Sequence, residues 1–170
     1  MAIDSLHIMS IQAPWAGLVV QGFQDVYNCP DTTNIKLPMW VAILEPRNLI
    51  SRSATKKAKT LLYQDHRMDL PLDRQYVRKK KHRGSGCIIG FCELYRVYDD
   101  MPSLWYDGNV MSPFYDEEKT VYAWYFNKTR SLPPDRWIPL DQSLSSPLTP
   151  ISSILDVDLR NRVVAAFMSD

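Results

Sequence analysis

No apolar run in this 170-residue sequence approaches the roughly 18 residues that a helical membrane span requires. The opening MAIDSLHIMSIQ has neither the basic start nor the long apolar core of a signal peptide. An intracellular chain, nuclear or cytoplasmic and without a membrane partner, is expected. Cysteine is scarce: Cys29, Cys87 and Cys92 are three in number, so at least one thiol is unpaired. Cys87 and Cys92 flank a run that reads as a buried strand, and no second pair completes a zinc set. Buried free thiols in a reducing compartment are the expected state. Excess charge is missing as well. With a formal net charge of +1, attraction to a polyanion must come from local clustering. Nor is there a phosphate-cradling glycine loop, a Ser-His-Asp arrangement or an HExxH helix. His7, His66 and His82 show neither metal nor relay spacing. No metal and no cofactor are expected.

What is present is punctuation and alternation. Twelve prolines and nine tyrosines suggest turns and short strands rather than a helix bundle. Leu6, Ile8 and Ser10 alternate with His7, Met9 and Ile11 as a strand. Pro14 suits a first helical turn, and WAGLVVQG reads as a short helix stopped by Gly22. Strands are expected at Phe23–Cys29 and Leu37–Pro46, with CPDTTN as a turn. Ser51 or Ser53 can cap a helix through ATKKAKTLLYQDHRM, with Ala54, Ala58, Leu61 and Leu62 as its apolar stripe. CIIGFCELYRVYD is a long strand in which Gly90 marks a bulge or a close backbone approach. TVYAWYFNKTRSL is another strand, with a turn over Asn127 to Asp135, and RWIPL closes the series. DQSLSSPLTP is Ser/Pro-rich and reads as a linker. Beyond it a helix is expected, capped by Ser152 or Ser153 with Asp156 in its first turn. Leu155, Leu159, Val163 and Phe167 would form the face by which it folds back on the domain or docks on a partner. The boundaries are thus a domain over 1–140, a linker over 141–150 and a helix over 151–170. The fold class is α+β, a small mixed β-barrel with helices flanking its mouth, plus the C-terminal helix.

Three stretches in order, SIQAPWAGLVVQG, GSGCIIGFCELYRV and TVYAWYFNKTRSL with RWIPL, resemble the motifs of the ASCH domain family of the PUA-like superfamily. They span most of Leu6 to Leu140, and look most like the ASCH module attached to a eukaryotic transcription coactivator. The resemblance implies a PUA-like barrel and a nucleotide-handling pocket formed by Gln12, Pro14, Trp15, Gly22, Gln24, Tyr27 and Asn28. The family pattern continues Gly-x-Lys-x-x-Glu-x-Arg, and here the chain departs from it. Counting from Gly22, Gln24, Tyr27 and Cys29 occupy the Lys, Glu and Arg positions. A glutamine amide does not titrate, and a phenol with a pKa near 10 is a poor base at neutral pH. Catalytic residues are therefore not expected. Glu93 is a weak candidate, near the place where some family hydrolases carry a carboxylate. A nucleoside amidohydrolase or ribonuclease acting through Glu93 and Tyr27 is the enzymatic alternative.

The substituted pocket could still bind. Gln24 and Asn28 carry paired donors and acceptors suited to a base edge, and Tyr27 and Trp15 offer flat faces for stacking. RKKKHR, comprising Arg78, Lys79, Lys80, Lys81, His82 and Arg83, enters the Gly84-Ser85-Gly86 turn. Such a run can track phosphates, and it also fits a nuclear-localisation signal. Lys56 and Lys57 on the preceding helix add a second basic face. The expectation is a non-catalytic binder of RNA or DNA. Protein partners could engage the aromatic loop from Trp105 to Tyr115 or the C-terminal helix.

Overall fold

A computed structural model describes residues 5–29, 35–67, 83–98, 122–142, 144 and 146–169. The CPDTTN turn beyond Cys29, residues 68–82 of the basic segment and the loop containing Trp105 to Tyr115 lie outside them. Strands β1 (His7–Ser10), β2 (Val26–Cys29), β3 (Met39–Glu45), β4 (Cys87–Tyr98), β5 (Tyr122–Ser131), β6 (Ile138–Pro139) and β7 (Leu148–Pro150) form one sheet. Its order is β2-β5-β4-β3-β1-β7, with β6 on the start of β4. β1 runs parallel to β3 and the other pairs are antiparallel, so the mixed sheet curls into a half-barrel. Helices α1 (Trp15–Val20), α2 (Arg52–His66) and α3 (Val157–Met168) complete the α+β architecture.

All six residues of α1 are buried, which matches a helix with no polar side chain. Pro14 occupies the cap position rather than the first turn. Gly22 ends the segment at φ +77, its amide donating to Val19 O at 3.0 Å while those of Phe23 and Gln24 reach Leu18 O. The helix plugs a core of Met9, Ile11, Val41, Ile43, Ile89, Leu94 and Trp124, and α2 adds Ala58, Leu61 and Leu62. Ser51, not Ser53, caps α2, its Oγ accepting from the Ala54 amide at 3.3 Å. Cys29 and Cys92 are buried thiols outside any disulfide, and Cys87 is a half-buried one. Burial holds the Cys92 thiol well above its ordinary range and also raises that of Cys87.

The C-terminal region differs from expectation in three ways. Leu148–Pro150, read as linker, pairs with β1 from His7↔Pro150 to Met9↔Leu148. Strand pairing with a buried neighbour overrides the weak β-propensity of a Ser/Pro-rich stretch. Helix α3 starts at Val157 with Asp156 as its cap, the carboxylate accepting from the Leu159 amide at 3.0 Å. Ser152 and Ser153 fall instead in a short 3-10 turn. Leu155 precedes the helix and is 91% exposed, so the packed face is Leu159, Val163, Ala166 and Phe167. Similarly, β5 continues through Asn127 to Ser131 where a turn was expected, and accommodates the bend with a positive φ of 46 at Lys128.

That face of α3 covers the outer side of the sheet over Leu6, Ile8, Ala42, Ile88 and Phe91. The Phe167 ring lies 5.3 Å from Trp40 and 5.4 Å from Phe91. The Arg130 guanidinium stands 5.1 Å from the same ring and donates through Nη2 to Phe167 O. A cation therefore satisfies a carbonyl at the C-terminal end of the helix, where its dipole favours positive charge. Phe167→Ala should lower stability by about 2 kcal/mol, less than for a fully buried ring because Phe167 is half-buried. A urea unfolding midpoint, with limited proteolysis to detect release of residues 151–169, measures this.

Candidate nucleic-acid interface

The Gly84-Ser85-Gly86 turn fixes where the basic segment re-enters the fold. The Gly84 amide donates to Asn48 O at 3.0 Å and the Gly86 amide to Glu45 O at 2.9 Å. The Ser85 amide donates to the Glu45 carboxylate at 2.7 Å. A Cβ on Gly84 would lie 1.9 Å from Pro46 O, so only glycine allows this approach. One residue earlier, Arg83 forms an isolated bridge with Leu49. Leu49 is two positions from Ser51, the cap of α2, so Arg83 reaches the same edge as the N-terminal turn carrying Arg52. The exposed cations Arg47, Arg52, Lys56, Lys59 and Arg83, with half-buried Lys57, are thus gathered on 47–59 and the adjoining strand entry. Arg67 ends α2 in a left-handed conformation at φ 55, where residues 68–82 depart. Of the expected phosphate contacts, Lys56, Lys57 and Arg83 are placed, while Arg78, Lys79, Lys80, Lys81 and His82 lie outside the described residues. Arg47 was not singled out by sequence; its only signal was a lone cation just after the strand-ending Pro46.

The expected pocket residues are mostly interior. Trp15 is 3% exposed and Gln24 and Tyr27 are 0% exposed, while Ala13, Pro14 and Asn28 are also buried. Gln12 is half-buried and Gly22 exposed. The stacking faces of Trp15 and Tyr27 are therefore covered by the core cluster to which both belong. Tyr27 pairs with Trp124 and Asn28 with Ala123 across β5. Gln24 Nε2 donates to Val26 O at 2.7 Å, but its Oε1 accepts nothing among the described residues. Trp124 Nε1 and Asn127 Oδ1 are also buried without a described partner. Open polar atoms of this kind cost about 1–3 kcal/mol each, so this interior retains hydrogen-bonding capacity that the described residues do not use.

Two contacts close the periphery of this region. His66 Nε2 donates to Phe23 O at 2.7 Å and lies 3.1 Å from the Asp65 carboxylate, tying the end of α2 to the residue after Gly22. Burial raises the Asp25 carboxyl above its ordinary range, and the Asp65 charge adds to the rise, opposed by its own backbone amide and by His66. Glu93 sits opposite Asn127 on β5 and Trp40 on β3, and its Oε1 accepts from Lys128 Nζ at 3.0 Å. The carboxylate is nearly buried while the lysine is mostly exposed. An acid held by an ammonium is spoken for as an acceptor, and no nucleophile or second acid stands in a described contact with it. Among the described residues, no three His, Cys, Asp or Glu side chains gather as a metal site. Among them too, no helix is long and apolar enough to cross a membrane.

No protein-family model matches the sequence, and no curated protein matches it either. Solved structures do. The chain superposes on the crystal structure of ASCH from Zymomonas mobilis with a TM-score of 0.51 at 15% identity, covering 95% of each chain. A mutant form of the same Zymomonas mobilis protein gives 0.50 at 15% identity, covering 95% of this chain and 97% of that one. The resemblance expected from three short motifs thus extends over the whole architecture. This chain has the PUA-like fold of ASCH domains.

Proposed function

We propose that this chain is a non-catalytic nucleic-acid-binding module that grips the phosphates of a single strand, RNA in preference to DNA, along α2 and residues 78–83. The observation that carries this reading is the Arg83–Leu49 bridge. It delivers the end of a six-residue basic run to the strip already bearing Arg47, Arg52 and Lys56. A local concentration of cations on a chain of net charge +1 is the kind of electrostatic footprint a polyanion site needs. The absence of a group that ordinarily titrates near neutral pH at the ASCH Lys and Glu positions supports binding without cleavage. Gln24 and Tyr27 fill those positions as fully buried side chains, and Glu93 is paired with Lys128. The PUA-like fold supports the preference for RNA by analogy only.

Salt dependence tests the proposal. Neutralising Lys79, Lys80, Lys81 and Arg83 together should weaken single-stranded RNA binding uniformly across sequences. The slope of log affinity against log salt should fall by about 0.7 for each phosphate that no longer meets a cation. Fluorescence anisotropy at several salt concentrations measures both. A wild-type affinity indifferent to salt, or a variant that binds as tightly as wild type, removes the reading. Turnover of RNA or modified nucleosides that vanished in Glu93→Gln would replace it with the hydrolase.

A further inference from the structure

A separate groove of about 340 Å³ opens where β1 and β3 end and β4 begins. It is distant in the sheet order from β2, which carries Tyr27 and Asn28 on the opposite flank. Its polar lining comprises Ser10, Arg47, Asn48, Gly86, Asp141 and Gln142. Leu44 and Leu140, both buried, supply apolar wall. The size is at the lower end of small-ligand clefts and suits one nucleotide rather than an extended strand. From the groove lining, we infer that it seats a single phosphorylated nucleotide of the bound strand. The inference rests on the nucleic-acid reading above and adds to it the place where one unit is held.

Arg47 is the phosphate ligand. It is exposed and has no ion-pair partner among the described residues, and its side chain lies across Gly86. A Cβ at Gly86 would come within 2.4 Å of Arg47 Nε, and the glycine adopts φ +70. The guanidinium stem is thus packed against bare backbone, which limits its freedom before any anion arrives. Its planar fork can hold a phosphate through two parallel hydrogen bonds. Arg83, bridged beside Leu49, stands next along the chain edge to meet a neighbouring phosphate. Asn48 and Gln142 offer amides that both donate and accept, as a base edge requires. Asp141 accepts only, so it repels a second phosphate and favours ribose hydroxyls or a base amino group. Leu44 and Leu140 give the base an apolar surface.

The test is a titration of the isotope-labelled full chain with AMP, GMP, CMP and UMP, and with the matching nucleosides. The amide signals of Gly86, Leu140 and Leu144 should shift, with at least one monophosphate binding tenfold or more tightly than its nucleoside. In Arg47→Ala that advantage should disappear. Gln142→Trp places a large ring at an exposed groove position and should block binding even if Arg47→Ala perturbs the fold. Shifts confined to other residues, or a monophosphate advantage that survives Arg47→Ala, overturn the inference. If single-stranded RNA still binds with a salt slope in that case, the module reading stands without the groove. If wild type binds no RNA at any salt, both fall.

Discussion

Gly90→Val should abolish the cooperative unfolding transition or leave the protein insoluble, a loss exceeding about 4 kcal/mol. Gly90 is the fourth residue of β4, where the end of α1 packs on the strand. A Cβ there would stand 2.4 Å from Arg130 O and 2.9 Å from both Cβ and Cγ1 of Val20. The carbonyl belongs to β5 backbone and Val20 is buried at the end of α1, so neither can retreat. Overpacking a core by one methylene commonly costs about 1–3 kcal/mol; valine adds three carbons at a point already below contact distance. Gly90→Ala should fall near the top of that range. Adding Val20→Ala should recover part of the loss, since it removes one obstacle and leaves the carbonyl. Urea midpoints of the four proteins measure the series. A Gly90→Ala protein within about 0.5 kcal/mol of wild type, the scatter of surface changes, overturns the argument.

The same glycine shows what a sequence discloses. An isolated Gly inside an apolar alternating run signals either a bulge or a close approach, and here both occur. The β3–β4 register slips between Ile43, paired with Gly90, and Leu44, paired with Ile88. Gly22 was equally legible, because a Gly after an aliphatic helical run has few other uses. Strand β7 was not legible. Its three residues satisfy pairing demands set by β1, a partner far away in sequence, and no local pattern encodes that. The start of α3 was missed because Ser152, Ser153 and Asp156 are all competent caps, and docking of Val163 and Phe167 decides which is used.

The candidate site divides in the same manner. The basic run is explicit in the sequence, and so is its glycine exit. The approach of Arg83 to the segment carrying Arg47 depends on Gly84 and Gly86 lying against Pro46 and Arg47, a tertiary contact. Arg47 therefore carries no signal beyond a single cation. Gln24, Tyr27 and Asn28 look like surface chemistry by residue type. Only the tertiary packing of this segment into the core reveals them as interior. Polar side chains in a strand are read as exposed by default, and this default fails where hydrogen bonding such as Gln24 Nε2 to Val26 O offsets part of the burial cost.

That interior placement gives the last prediction, Gln24→Lys, which writes the ASCH lysine back into the chain. The variant should be less stable than wild type by about 3–5 kcal/mol near neutral pH, the usual consequence of an uncompensated buried charge. Gln24 is 0% exposed, so an ammonium there loses its hydration. The described carboxylates nearest in sequence and register offer little relief. Asp25 already bears a desolvation cost on its own charge, and Glu93 is held by Lys128. Burial would depress the new lysine, as it does other buried lysines, to a folded pKa of about 5–6. The unfolded chain keeps the ordinary value near 10.4. Between those limits the unfolded state binds more protons, so stability should rise with pH across the window. Gln24→Met serves as the control: it conserves volume and removes the open Oε1, and should stay within about 1.5 kcal/mol of wild type with no added pH dependence. Denaturant midpoints from pH 6 to 10 distinguish the cases. A Gln24→Lys protein as stable as wild type at every pH would mean that this interior is open to water and can hold a charged lysine. The reading of β2 as closed core would then fail, and the enzymatic alternative would regain the group it lacks.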